Sequence, residues 1–117
     1  MKKLNSPYNH YTIPQADYFI DCRCVPEHGL KHSGKGGKNL DLQNEMQEFA
    51  PHVFALMVDQ IVQALERIEA RRSHKKDPYG EPFKIGFLCA WGQTRSVASC
   101  AIVSRELTKL GYQVKVL

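Results

Sequence analysis

A chain of 117 residues is long enough for one compact domain with a modest core and too short for two ordinary ones. Hydrophobic residues at 43% and charged residues at 24% exclude a disordered chain, and no apolar run approaches the roughly 20 residues of a membrane-spanning helix. Sixteen Lys and Arg against 12 Asp and Glu, a net +4 with His neutral, favour anionic partners without requiring one.

Met1-Lys2-Lys3 leads into Leu4-Asn5-Ser6-Pro7 and not into an apolar signal core, so a soluble, unexported, cytoplasmic protein without a membrane partner is expected. The segment Ala16 to Val25, A-D-Y-F-I-D-C-R-C-V, is rich in β-branched and aromatic residues and is closed by Pro26; it predicts a first strand with Phe19, Asp21 and Arg23 on one face. The same period of two puts Cys22 and Cys24 together on a face, where small core residues are the simplest reading. Residues 27–39 follow, with four glycines, three lysines and two histidines, a composition that predicts a mobile basic loop.

Asp41 is expected to cap a short helix through Phe49, and Pro51 to open a longer helix to about Arg72. Phe54, Met57, Val58, Ile61, Leu65 and Ile68 recur at helical spacing and predict a stripe facing a sheet. Ser73 to Pro82 is a connection, Phe83 to Cys89 a buried strand, and Ser96 to Leu110 a helix stopped by Gly111. Gln113 to Leu117 is expected as a last strand. The order β-α-α-β-α-β predicts one α/β domain over 1–117, a small three-layer arrangement with a mainly parallel sheet, because parallel neighbours need crossovers.

Cys89-Ala90-Trp91-Gly92-Gln93-Thr94-Arg95-Ser96 joins the buried strand to a helix N-terminus, where unpaired backbone N–H groups and the positive end of the dipole converge on one spot. Gly92 permits the turn, Arg95 brings a fork of donors, and Thr94 and Ser96 add hydroxyls, so these eight residues are the candidate site for a phosphate or other anion. The four cysteines lack paired zinc-ligand spacing, and no metal or other cofactor is expected. Gly29 to Gly36 nearly spells a phosphate-binding nucleotide loop. Gly36 supplies no hydroxyl for magnesium, and Gly36-Gly37 does not open a helix.

Two families share features of this stretch. The spacing C-x-x-G-x-x-R-S resembles the signature loop of cysteine-dependent phosphatases, which implies Cys89 as nucleophile and Arg95 as phosphate clamp. Leu88 stands where that family has a His, and no general acid has a recognisable family context. A longer resemblance is to the C-terminal domain of the RNase adapter RapZ, whose G-C-T-G-G-x-H-R-S-V segment is similar to Leu88 to Val97. Ser104-Arg105-Glu106-Leu107 and Gly111-Tyr112-Gln113-Val114 resemble its closing helix and last strand. Upstream, Ile13-Pro14, Ala16-Asp17, Phe19, Asp21, Arg23 and Pro26 are similar to its L-P-x-x-A-D-x-x-F-D-x-R-x-x-P, and Leu40-Asp41 to its G-L-D helix start.

The RapZ resemblance implies a regulatory domain without turnover that binds RNA, senses an amino-sugar phosphate, forms a homo-oligomer and presents RNA to a ribonuclease. It carries Cys89, Gly92, Arg95 and Ser96 over to the anion site, and Asp21 and Arg23 to the first-strand pair facing the same crevice. Ala90, Trp91 and Thr94 replace the family's Thr, Gly and His, and Trp91 is read as a wall of the site. The similarity covers only the family's C-terminal domain and so implies no use of ATP. It stops at Val116, before the family's basic extension, which leaves RNA contact to Lys31, Lys35 and Lys38 in the loop and to Arg71, Arg72, Lys75 and Lys76 at the end of the long helix.

Overall fold

A computed structural model describes residues 16–75, 83–89 and 94–116, with the side chains of 71–75 outside that description. Its elements in chain order are β1 (Tyr18–Asp21), α1 (Leu40–Phe49), α2 (Pro51–Lys75), β2 (Ile85–Leu88) and α3 (Thr94–Lys109). The strands pair in parallel with Tyr18 opposite Ile85 and Asp21 opposite Leu88, and α1 and α2 form the crossover between them.

Main-chain bonds extend the pairing beyond the strands, with Asp17 N–H to the Lys84 carbonyl at one end and Cys22 N–H to the Leu88 carbonyl, 2.7 Å, at the other. Alternation along β1 turns Ile20 and Cys22 into the core and leaves Phe19 and Asp21 exposed. Strand character ends sooner than the composition suggests. A turn at Cys22 to Val25, closed by Val25 N–H on the Cys22 carbonyl, rotates Cys24 outward, so the two cysteines do not share a face.

The α2 stripe holds as far as Leu65, while Ile68 is half-buried outside the core. Phe54, Met57 and Ile61 are buried, and Val58 and Leu65 pack against the same core as Ile20, Phe87, Ile102 and Leu107. Pro51 opens this helix, where its missing N–H would have had no helical partner anyway. The cap of α1 is Asn39 and not Asp41: Asn39 has extended backbone angles and its Oδ1 accepts from Leu42 N–H at 3.0 Å. Asp41 lies one residue inside the helix, where its carboxylate complements the dipole.

Helix α3 ends as its glycine signals. Gly111, at φ +97°, donates to the Thr108 carbonyl and Tyr112 to that of Leu107, the paired bonds of a Schellman stop. Beyond it the expected strand is not formed over Gln113 to Val116. Tyr112 and Val114 do turn inward in a period of two, but they pack against the core without joining a ladder. Among the described residues the sheet therefore has two strands, served by three helices that touch one another. No helix of the described residues is long and apolar enough to cross a membrane.

Candidate functional site

The parallel register sets Asp21 beside Leu88, so both strands end at the same edge of the sheet. In parallel α/β sheets that edge is where ligands gather. From there β1 passes into the turn carrying Arg23 and Glu27, and β2 passes through Cys89 toward the start of α3.

Asp21 and Arg23 form one unit. The Arg23 guanidinium meets both carboxylate oxygens, with Nε at 3.0 Å from each and Nη2 at 2.6 Å from Oδ2, while the Arg23 backbone N–H donates to Oδ1 at 2.9 Å. The side-chain hydrogen bond from Arg23 is the main reason the Asp21 carboxyl is held below its ordinary pKa, with Arg95 adding a smaller pull. Both side chains are well exposed, so the pair is a surface feature at the mouth of the crevice.

Arg95 reaches into the same place from the first turn of α3. Its Nη1 donates to the Arg23 carbonyl at 2.7 Å, and its Nε lies 4.0 Å from a Glu27 carboxylate oxygen. A cation in the first turn of a helix opposes the macrodipole, and α3 has no acidic residue in that turn to offset it. The Arg23 carbonyl and Glu27 supply the compensation.

Cys89 and Ser96 lie below this surface. Both are buried, and the Cys89 thiol donates to the Ser96 hydroxyl at 3.4 Å. Ser96 thus ties the first turn of α3 to the residue that follows β2. Cys22, the residue after β1, is the neighbour of Cys89, and burial pushes the Cys22 thiol up to about 12, beside the Ser99 hydroxyl one turn further along α3. Thr94 is half-buried at the helix start. Ala90, Trp91, Gly92 and Gln93 lie outside the described residues. The structure thus brings Asp21, Arg23, Cys89, Thr94, Arg95 and Ser96 to one edge, with Cys89 and Ser96 beneath it.

The segment expected to be mobile is a succession of tight turns tied to α1. Leu30 enters the core, Lys31 and His32 donate their backbone N–H groups to the two oxygens of Glu45 at 2.6 and 2.7 Å, and the Gln43 side-chain amide donates to the Gly37 carbonyl at 2.7 Å. Burial works to raise the Glu45 carboxyl, but these donors outweigh it and its pKa lies below the ordinary value. Gly37 packs directly on α3, since a Cβ there would lie 2.5 Å from the Thr94 carbonyl oxygen. The loop is thereby held against the start of α3, with Lys31, Lys35 and Lys38 exposed on it. Helix α2 runs to Lys75 and not to about Arg72, so Arg71, Arg72 and Lys75 lie among its last five residues, and Lys76 lies outside the described residues.

Sequence reasoning missed Glu27, Gly37, Gln43, Glu45 and Arg105, the last donating to Gln43 at 2.6 Å. Only Glu27 carried a visible signal: it is the sole acid between Val25 and Asp41, in a stretch with three lysines. Among the described residues no three His, Cys, Asp or Glu side chains are grouped as metal ligands. Comparison with protein-family models, curated proteins and solved structures gives no match to this chain.

Proposed function

We propose that this chain is an anion-binding regulatory domain. Its ligand, a phosphorylated small molecule or a similar anion, sits at the carboxyl ends of β1 and β2 against the first turn of α3. The observation that carries the reading is Arg95: a cation placed where the helix dipole disfavours one, with no acid in that turn, and directed to the edge where the two strands end. A cation set against the helix dipole and held there by partners from another segment fits a site that serves something other than the fold. A three-layer domain belongs to the same proposal.

The resemblance to the RapZ C-terminal domain extends it. An amino-sugar phosphate is the favoured ligand, homo-oligomerisation the favoured assembly, and RNA with a ribonuclease the favoured partners, approached through the exposed Lys31, Lys35 and Lys38. In this reading the domain acts by binding, without turnover.

A cysteine-dependent phosphatase is the second reading, favoured by the hydrogen bond between Cys89 and Ser96 at the base of the C-x-x-G-x-x-R-S loop. Against it stand Leu88 before the cysteine and a Cys89 side chain only 2% exposed, which leaves the sulfur little access to phosphorus. Binding of inorganic phosphate with no hydrolysis of an aryl phosphate above background is therefore expected. Hydrolysis that Cys89→Ser abolishes while circular dichroism stays native would transfer the site to the phosphatase class.

A further inference from the structure

Four charged groups meet at the strand ends, and they are not equally committed. Asp21 is saturated by Arg23, which contacts both of its oxygens. Arg95 has one firm hydrogen bond, from Nη1 to the Arg23 carbonyl, and one loose electrostatic contact, its Nε lying 4.0 Å from a Glu27 carboxylate oxygen and beyond hydrogen-bond reach. Arg95 and Glu27 are each about four-fifths withdrawn from water, at 20% exposure, so the pair is screened less than a surface one. The firm bond uses a neutral acceptor and fixes where the guanidinium sits. The loose one uses a charge and satisfies what the helix dipole makes unfavourable.

We infer that Glu27 is an internal competitor for Arg95: its carboxylate stands beside the guanidinium edge that an incoming oxyanion takes over on binding, so Glu27 holds down the affinity of the site for phosphate. The inference rests on the anion-site reading above. Glu27 offsets the first-turn cation in the empty protein, and its negative charge remains close by to repel a bound anion. Removing that charge acts in opposite directions on the two states. The empty fold becomes less stable and the phosphate complex tighter, a combination that a merely structural Glu27 would not produce.

The test is calorimetric titration of the full chain with inorganic phosphate, alongside thermal unfolding. Glu27→Gln should tighten phosphate about five-fold, the scale of a partly exposed ion pair, and lower the melting temperature of the ligand-free protein. Glu27→Asp, whose carboxylate is one methylene further back, should fall between the two, and it carries the test if the glutamine variant does not fold. In an Arg95→Ala background Glu27→Gln should change nothing, since its effect runs through that guanidinium. If Glu27→Gln binds phosphate no tighter than wild type while Arg95→Ala still loses it, the competitor role is overturned and the anion site stands. If neither wild type nor Glu27→Gln binds phosphate, the site itself falls.

Discussion

Phe87→Ala is expected to destabilise the protein by about 3–5 kcal/mol, the cost of truncating a fully buried aromatic ring. Phe87 is 1% exposed, lies opposite Ile20 in the parallel register, and belongs to the core that also holds Phe54 from α2 and Ile102 from α3. A sheet of two four-residue strands has little ladder of its own, so its persistence depends on what its inner face buries. Urea unfolding should show a lower midpoint with an unchanged slope. A loss below about 1 kcal/mol, smaller than any usual Phe→Ala cost, would mean that β2 is not the packed centre described above.

Gly37→Ala is the second large effect, and it is steric. A Cβ at this position would stand 2.5 Å from the Thr94 carbonyl oxygen, 2.6 Å from the Val97 Cβ and 2.9 Å from the Ala98 backbone nitrogen. Two of these neighbours are helix backbone, which cannot swing away as a flexible side chain would. The loop must therefore lift from α3, at a cost of about 2–3 kcal/mol on the scale of overpacked contacts. Denaturant unfolding gives the magnitude, and amide chemical shifts from Thr94 to Ala98 should report the displacement. Wild-type stability with unmoved amide signals in that turn would contradict the docking of the loop on α3.

The elements dominated by local pattern were legible in the sequence. The apolar stripe of α2, Pro51 at its start, the buried run of β2 and the glycine stop of α3 each rest on residues within a turn or two of one another. Less legible were groups whose role is set across the fold. Glu45 accepts from backbone 13 and 14 positions away, and Arg105 meets Gln43 across 62 positions, so neither has a local signature. The strand expected over Gln113 to Leu117 is not formed over 113–116: Tyr112 and Val114 turn inward, but such alternation fixes which side chains face the core and not whether a neighbouring strand accepts the ladder.

The candidate site divides the same way. That Asp21, Arg23 and Arg95 come together where the strands end was read from spacing and from resemblance. The direction of Arg95 was not, because its length allows it to reach outward to a ligand or back to the Arg23 carbonyl, and only the packed turn at Cys22 to Val25 puts that carbonyl within 2.7 Å. The inward turn of Ser96 toward Cys89 was hidden for the same reason.

The most direct measurement is the affinity of the full chain for inorganic phosphate, compared between wild type, Arg95→Lys and Arg95→Ala by calorimetry at fixed low ionic strength. The anion-site account predicts that wild type binds and that Arg95→Ala loses about 1.5–3 kcal/mol, the usual worth of a charged hydrogen-bonding partner, which is roughly ten- to a hundred-fold in Kd. Arg95→Lys, which keeps the charge and loses the fork, should lie between them. Equal affinity in all three proteins, or no phosphate binding by wild type, would contradict it.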